Sequence, residues 1–117
     1  MSTDFVVRTH TIGSAKTLAL GGELDLLSSP ALQKALDDAA GSDADLIIVD
    51  LRGLEFMDST GLHALVNAQH RMEELGRRFA LVRGGESVQR LFELTGVIDG
   101  LTIIESPEEL LEAHGAP

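Results

Sequence analysis

Cysteine is missing from this 117-residue chain, and so are tyrosine and tryptophan. Without thiols there can be no disulfide and no thiolate nucleophile or metal ligand. With only 4 Phe as aromatics, the chain also lacks the stacking platforms on which single-strand binders hold bases. Basic residues are scarce: 9 Lys and Arg against 19 Asp and Glu leave a formal charge of -10. Phosphate backbones are bound by clustered cations, so nucleic acid is not the expected partner. Long apolar runs are absent too. The longest aliphatic stretch, Leu46-Ile47-Ile48-Val49, falls far short of the about 20 residues that span a bilayer, so no membrane contact is expected. The start, MSTDFVV, carries no basic segment followed by an apolar stretch, so no signal peptide is expected and the expected location is the cytoplasm.

What is present reads as one globular domain over residues 1–117, with a core from about 5 to 113. A hydrophobic share of 44% without biased tracts is too high for a disordered chain. Strand and helix patterns alternate. FVVRTHTI (Phe5–Ile12) and AKTLALGGEL (Ala15–Leu24) read as strands joined around Gly13-Ser14. SSPALQKALDDAAG reads as a helix capped by Ser29, with Pro30 in its first turn and Gly41 at its end; Leu32, Ala35, Leu36 and Ala39 share one face. DLIIVDL (Asp45–Leu51) is continuous and β-branched, as in a strand covered on both sides, and is placed at the sheet centre.

Leu62, Leu65, Val66, Met72 and Leu75 keep helical spacing up to Gly76. RFALVR is a further buried strand, SVQRLFELTG a helix from Ser87 to Gly96, and LTIIE a last strand. SPEELLEAHG then starts a helix with Ser106 as cap, Pro107 first and Glu109 closing a capping box. The expected fold is α/β: a small mixed sheet of four to five strands, begun by a hairpin and packed against about four helices. In such sheets the functional edge lies where strands end in their carboxyl direction. Two segments read as loops there, GGELDLLSS (21–29) and RGLEFMDSTG (52–61), and they are expected to face each other.

Several chemistries find no support. No G-x-x-x-x-G-K-[ST] loop is present, and RGGES (Arg83–Ser87) is short and lacks the lysine; it reads as a turn and cap, with an anion at Ser87 as the alternative. His10, His63, His70 and His114 lack metal-ligand spacing, so no metal is expected. A G-x-S-x-G elbow is absent, and Glu23 with Asp25 reads as a solvated loop rather than an acid/base pair. Arg71, Arg77, Arg78, Arg83 and Arg90 fall in one segment and read as a solvated face.

The segment that stands out is FMDSTGLHAL, Phe56–Leu65. Asp58 and Ser59 both suit the first position of a helix, where a side-chain oxygen accepts from unpaired amides. Gly61 lets another surface approach the backbone closely. A hydroxyl at a helix start is also well placed to carry a phosphoryl group, because the dianion meets the positive helix end. From the residues alone, a plain cap and an acceptor site both remain open.

FMDSTGLHAL, with GELDLLSSPAL upstream and LFELTGVIDGLTIIES downstream, resembles the anti-sigma factor antagonists of the STAS type, from about Phe5 to Leu111. The resemblance implies a bacterial partner switch controlling transcription, as in stress responses. The unphosphorylated antagonist binds an anti-sigma factor that is also a serine kinase of the histidine-kinase-like ATPase type, and the sigma factor is released. The kinase phosphorylates the serine after the motif Asp, here Ser59, and a PP2C-type serine phosphatase reverses this. By the same resemblance, Asp58 and Gly61 match the motif, Thr60 is an interface neighbour, and Asp25 matches an acidic position near the serine. His63, counted among the partner-binding candidates, departs from the pattern, since many relatives have a small residue there; an ordinary exposed histidine is the default reading, with partner choice or a response to the phosphate as the alternative. The kinase brings its own nucleotide and magnesium, so neither a cofactor nor catalysis is expected of this chain. The competing readings are a constitutive STAS scaffold with Ser59 as a mere cap, and a small nucleotide-binding enzyme using the loop edge.

Overall fold

A computed structural model describes residues 4–114, and within them leaves aside the side chains of 98, 99 and 112–114. The ends of the expected domain, 1–3 and 115–117, lie outside the described residues. Five strands form one sheet in the order β1-β2-β3-β4-β5. They are β1 (Val6–Ile12), β2 (Ala15–Leu24), β3 (Leu46–Met57), β4 (Arg78–Val82) and β5 (Ile103–Ile104). β1 and β2 form the antiparallel hairpin, and every later pairing is parallel. Four helices intervene: α1 (Ser29–Ala40), α2 (Ser59–Glu74), α3 (Glu86–Thr95) and α4 (Glu108–His114). This is the mixed sheet and helix count that the alternating pattern implied.

The two faces of the sheet are covered unequally. Leu18, Leu20 and Leu24 of β2, with Ile47, Val49 and Leu51 of β3, meet Leu36 of α1, Leu65 of α2 and Phe92 of α3 in the main core. On the other face Ala15, Leu46, Ile48 and Val82 form a smaller cluster, against which Ile104 and the Leu110–Leu111 pair of α4 pack. Both faces of Leu46–Leu51 are therefore buried, which is why this run carries no polar alternation. Asp50 is the one acid within it. Its carboxylate accepts from Arg52 Nε at 3.0 Å and Nη2 at 2.8 Å, so the charge is neutralised by a fork on its own strand.

Several boundaries differ from the sequence reading. β3 does not stop at Leu51 but continues to Met57, so most of the expected loop 52–61 is strand. Pairing with β4 ends at Asp50↔Val82, whereas pairing with β2 runs on through Gly21↔Gly53 to Leu24↔Met57. A strand covered on one edge only can carry exposed Arg52, Glu55 and Phe56, and this polar content hides it from a pattern search. Ser28 rather than Ser29 stands at the N-cap position of α1, and its side chain makes no capping bond. α3 is entered from Gly85, one residue before the helix, so Ser87 lies inside the first turn and is no cap. The capping-box half expected of Glu109 is formed: its Oε2 accepts from Ser106 N at 2.9 Å. β5 is shorter than LTIIE, and a single 3-10 turn, Val97–Gly100, precedes it.

α1 and α2 are joined on the surface by an ion pair between Arg71 and Asp37, with Gln33 Nε2 also donating to Asp37 Oδ1 at 3.0 Å. The Arg71 bond, with the Gln33 bond second, holds the Asp37 carboxyl below its ordinary value of 3.8. A lowered acid stabilises the fold above the unfolded value and loses that contribution as pH falls through the folded one. Denaturant midpoints of the parent should therefore exceed those of Asp37→Asn by a small margin at neutral pH. The margin should shrink as pH drops below 3.8. An equal margin at both pH values would remove the ion pair from the account.

Candidate functional site

The carboxyl ends of β2 and β3 lie side by side, and the candidate residues follow directly from them. The parallel register puts Leu24 opposite Met57, so Asp25 and Asp58 leave adjacent strand ends. A backbone bond fastens the two: Asp58 N–H donates to Leu24 C=O at 3.1 Å. β2 reaches this position through irregular pairing on either side of Gly22, whose φ of +86° an L side chain would resist. The two segments expected to face each other are thus brought together, one as a loop and the other as a strand end turning into a helix.

Asp58 is the helix cap. Its backbone is extended, and its Oδ1 accepts from Gly61 N at 3.0 Å. Ser59 is the first residue of α2 and is exposed; no bond to its hydroxyl occurs among the described residues. The two capping candidates are thereby separated: the acid holds the helix start and the serine hydroxyl is left uncommitted. Thr60 is half-buried beside it, and His63 is exposed one turn further along.

Gly61 has a reason the sequence did not reveal. It is buried, and a Cβ built on it would lie 2.7 Å from Leu24 Cγ and 2.9 Å from Met57 Cγ. The surface that approaches this glycine is the protein's own core. Any side chain there would push α2 off the ends of β2 and β3.

Asp25, half-buried, is occupied within its own turn. Its Oδ1 accepts from Leu27 N and Ser28 N, each at 3.0 Å, and from Ser28 Oγ at 3.1 Å. Ser28 Oγ in turn donates to Glu23 C=O at 2.8 Å. This knot of short bonds fixes the β2–α1 turn and has an outward consequence. Leu24 fills the core, and the next two apolar residues are left outside: Leu26 is 69% exposed and Leu27 89%. Phe56, opposite Glu23 in the register, is 48% exposed. Two adjacent leucines are thus left at the surface beside a helix start. Sequence reasoning missed all three; the signal available was LDLL in a turn, apolar residues with no helical or strand period to absorb them.

No group of three or more His, Asp and Glu among the described residues is placed to hold a metal. Among the described residues no helix is long and apolar enough to cross a membrane.

Comparison with known proteins gives consistent matches. The family model described as STAS domain matches residues 6–110. The chain is 35% identical over 89 residues to the anti-sigma-B factor antagonist of Bacillus subtilis (strain 168), covering 76% of this chain and 81% of that protein. Among solved structures, an anti-sigma factor antagonist from Mycobacterium paratuberculosis superposes with a TM-score of 0.85 at 22% identity, over 94% of this chain and 93% of that one. The antagonist SpoIIAA in its unphosphorylated form gives 0.78 at 19% identity, over 96% and 99%. Its phosphorylated form, described as a Bacillus cell fate determinant, gives 0.69 at 20% identity, over 95% and 99%. At these identities the structural matches speak to the fold.

The geometry separates substitutions at three positions. Gly61→Ala should lose about 1–3 kcal/mol through overpacking against Leu24 and Met57. Asp58→Ala should lose about 1 kcal/mol with the cap, and Asp58→Asn much less. Ser59→Ala should stay within roughly 0.5 kcal/mol of the parent. Thermal or denaturant unfolding ranks them; a Ser59→Ala protein less stable than Asp58→Ala would mean that the serine caps the helix.

Proposed function

The chain belongs to the STAS domain family, and from that membership we propose that it is an anti-sigma factor antagonist whose docking is switched at Ser59. In this reading the unmodified protein binds an anti-sigma factor that is also a serine kinase of the histidine-kinase-like ATPase type, and so frees a sigma factor. Phosphorylation of Ser59 ends the binding, and a PP2C-type phosphatase restores it. The chain acts by binding, in the cytoplasm, and catalyses nothing itself.

The observation that carries the proposal is the exposed, uncommitted hydroxyl of Ser59 at the first position of α2, with the cap already supplied by Asp58. A phosphoryl group there would add about -1.5 to -2 charges and three acceptors at the positive end of the helix. The Ser59 and Thr60 amides are available to it, since Asp58 takes only that of Gly61. The helix tolerates the charge, and the partner is left to desolvate it. A penalty of about 3 kcal/mol weakens binding roughly a hundredfold, enough for a switch. Support for the partner's identity comes from the 35% identical B. subtilis protein, an anti-sigma-B factor antagonist by name. That SpoIIAA has been solved in both phosphorylation states supports the switching.

The docking face, in this proposal, is centred on Ser59 and includes Asp58, Thr60 and His63. Asp25 contributes through the turn it holds, and Gly61 by seating α2 where Ser59 is presented. Leu26, Leu27 and Phe56 are the apolar anchors beside it. A constitutive scaffold would need no free hydroxyl at this position, and the uncommitted Ser59 favours the switch over that reading.

Mixing the protein with each candidate kinase of its own genome and ATP, then fragmenting it in a mass spectrometer, should show one phosphate on Ser59. Ser59→Ala should bind the kinase lastingly and accept none, while Ser59→Asp should bind poorly. If both bind like the parent, this position is not the switch. A second measurement tests the anchors: Leu27→Ser should lower affinity for the same kinase about tenfold without changing the unfolding midpoint. An unchanged affinity would place the docking face elsewhere.

A further inference from the structure

The sheet has two edges of very different length. β5, on one side, offers only Ile103 and Ile104. β1, on the other, offers seven residues, Val6–Ile12, with neither proline nor glycine among them. β-Branched residues fill all of it but Arg8 and His10. Long regular edge strands are templates for pairing with another chain, and sheets ordinarily blunt them.

The pairing with β2 determines which backbone groups face outward. The hairpin turns through Gly13 and Ser14 alone, with Ile12 opposite Ala15. In a two-residue loop that closing pair exchanges its backbone bonds, and the bonding alternates from there. The N–H and C=O groups of Ile12, His10, Arg8 and Val6 therefore serve β2, whereas those of Val7, Thr9 and Thr11 point away from it. Among the described residues no bond from outside the β1–β2 pairing reaches them. Side chains alternate too. Val7 packs against the main core, on the face of α1. Val6, Arg8, His10 and Ile12 lie on the other face, where Val6 is 46% exposed and Ile12 61%.

The same edge of a second copy fits this one. Laid antiparallel about a two-fold axis at Thr9, the seven residues overlap in full. Val7 meets Thr11 of the second copy and Thr9 meets its counterpart, so every outward backbone group finds another. On the open face Val6 meets Ile12 of the second copy, at a non-bonded position where cross-strand side chains are closest. Arg8 stands opposite His10. An axis moved to Arg8 would set two arginines face to face, and one moved to His10 would leave Val6 without a partner. Charge favours the same meeting place. Residues 5–22 form the longest acid-free stretch of a chain whose formal charge is -10, so two copies approach here with least repulsion between carboxylates.

We propose that β1 pairs with β1 of a second copy across this axis, joining the two five-stranded sheets into one continuous sheet. Seven residues a side is well below the about 20–30 of a standard interface, so the dimer is weak and concentration-dependent. The two sheets run in opposite directions, so their Ser59 edges lie at opposite ends and both stay open to a partner. The pairing is thus independent of the Ser59 reading.

Sedimentation equilibrium of the full chain should show monomer and dimer exchanging across the micromolar range. Ile12→Lys, at an exposed position, should weaken association about tenfold and leave the monomer's unfolding midpoint unchanged. Single cysteines read the register, because the chain has none of its own. Thr9→Cys brings two thiols opposite each other, with Cα atoms about 5.5 Å apart, and should cross-link in a glutathione buffer. Thr11→Cys, likewise exposed, sets them four residues out of register, roughly 13 Å along the strand, and should not. A monomer at every concentration would overturn the proposal. So would equal cross-linking of the two variants, or a dimer that Ile12→Lys does not weaken.

Discussion

Everything at the candidate site depends on one contact, the seating of the Gly61 backbone against Leu24 and Met57. Those two side chains cap the ends of adjacent parallel strands and fill the core completely or nearly so, at 0% and 5% exposure. Because α2 can settle directly onto them, its first residue emerges level with the end of β2. The Asp58 N–H then finds Leu24 C=O, and the Asp58 carboxylate finds Gly61 N–H. The N–H groups of Asp58 and Gly61, which flank Ser59 and Thr60, thus have their partners assigned, which fixes the start of α2. The same filling excludes Leu26 and Leu27 from the core: Leu24 already occupies the place they would take, and the Asp25–Ser28 bonds hold the turn open.

Charge arguments at this site are local ones. The chain carries a formal charge of -10, so adding a dianion changes the distant field only modestly. Charges separated by more than the Debye length of about 8–10 Å are in any case screened. In the proposed switch, a phosphate on Ser59 would therefore act only on a surface that touches it. On the protein's own side the new charge would meet the helix start, where it is tolerated; on the partner's side it would have to be stripped of water. That asymmetry is what would let one group alter binding while the fold is kept.

The strand and helix order was legible in the sequence because the buried elements carry strong patterns, as in the LIIV run that opens β3 and Leu62-Leu65-Met72 for α2. So was the adjacency of the Asp25 and Asp58 turns, since consecutive parallel strands must end on one edge. What escaped were features set by partners rather than by local pattern. The last six residues of β3 are strand only because the end of β2 pairs with them. Ser28 rather than Ser29 stands before α1, but its hydroxyl is drawn to Glu23 and Asp25 and caps no helix amide. Gly61 could be recognised as allowing a close approach, but not that the approaching atoms belong to Leu24 and Met57. The outward turn of Leu26 and Leu27 was invisible for a like reason, since an apolar pair in sequence does not announce that the core is already full.

The sheet order also determines what surrounds Ser59. β2, β3 and β4 are parallel neighbours, so the turns that follow them share one edge, with the start of α2 between the other two. On the β2 side stand the exposed leucines, and on the β4 side Arg83 with the uncapped start of α3. The flanks are chemically unlike, one apolar and one rich in anion-seeking donors. A partner laid across this edge could not bind equally well after a half-turn, because its apolar patch would then meet the arginine side. Parallel topology thus gives the edge a direction as well as a location. In the proposed switch, orientation would come from the two flanking turns, leaving the central hydroxyl as the variable element that need not also specify how the partner docks.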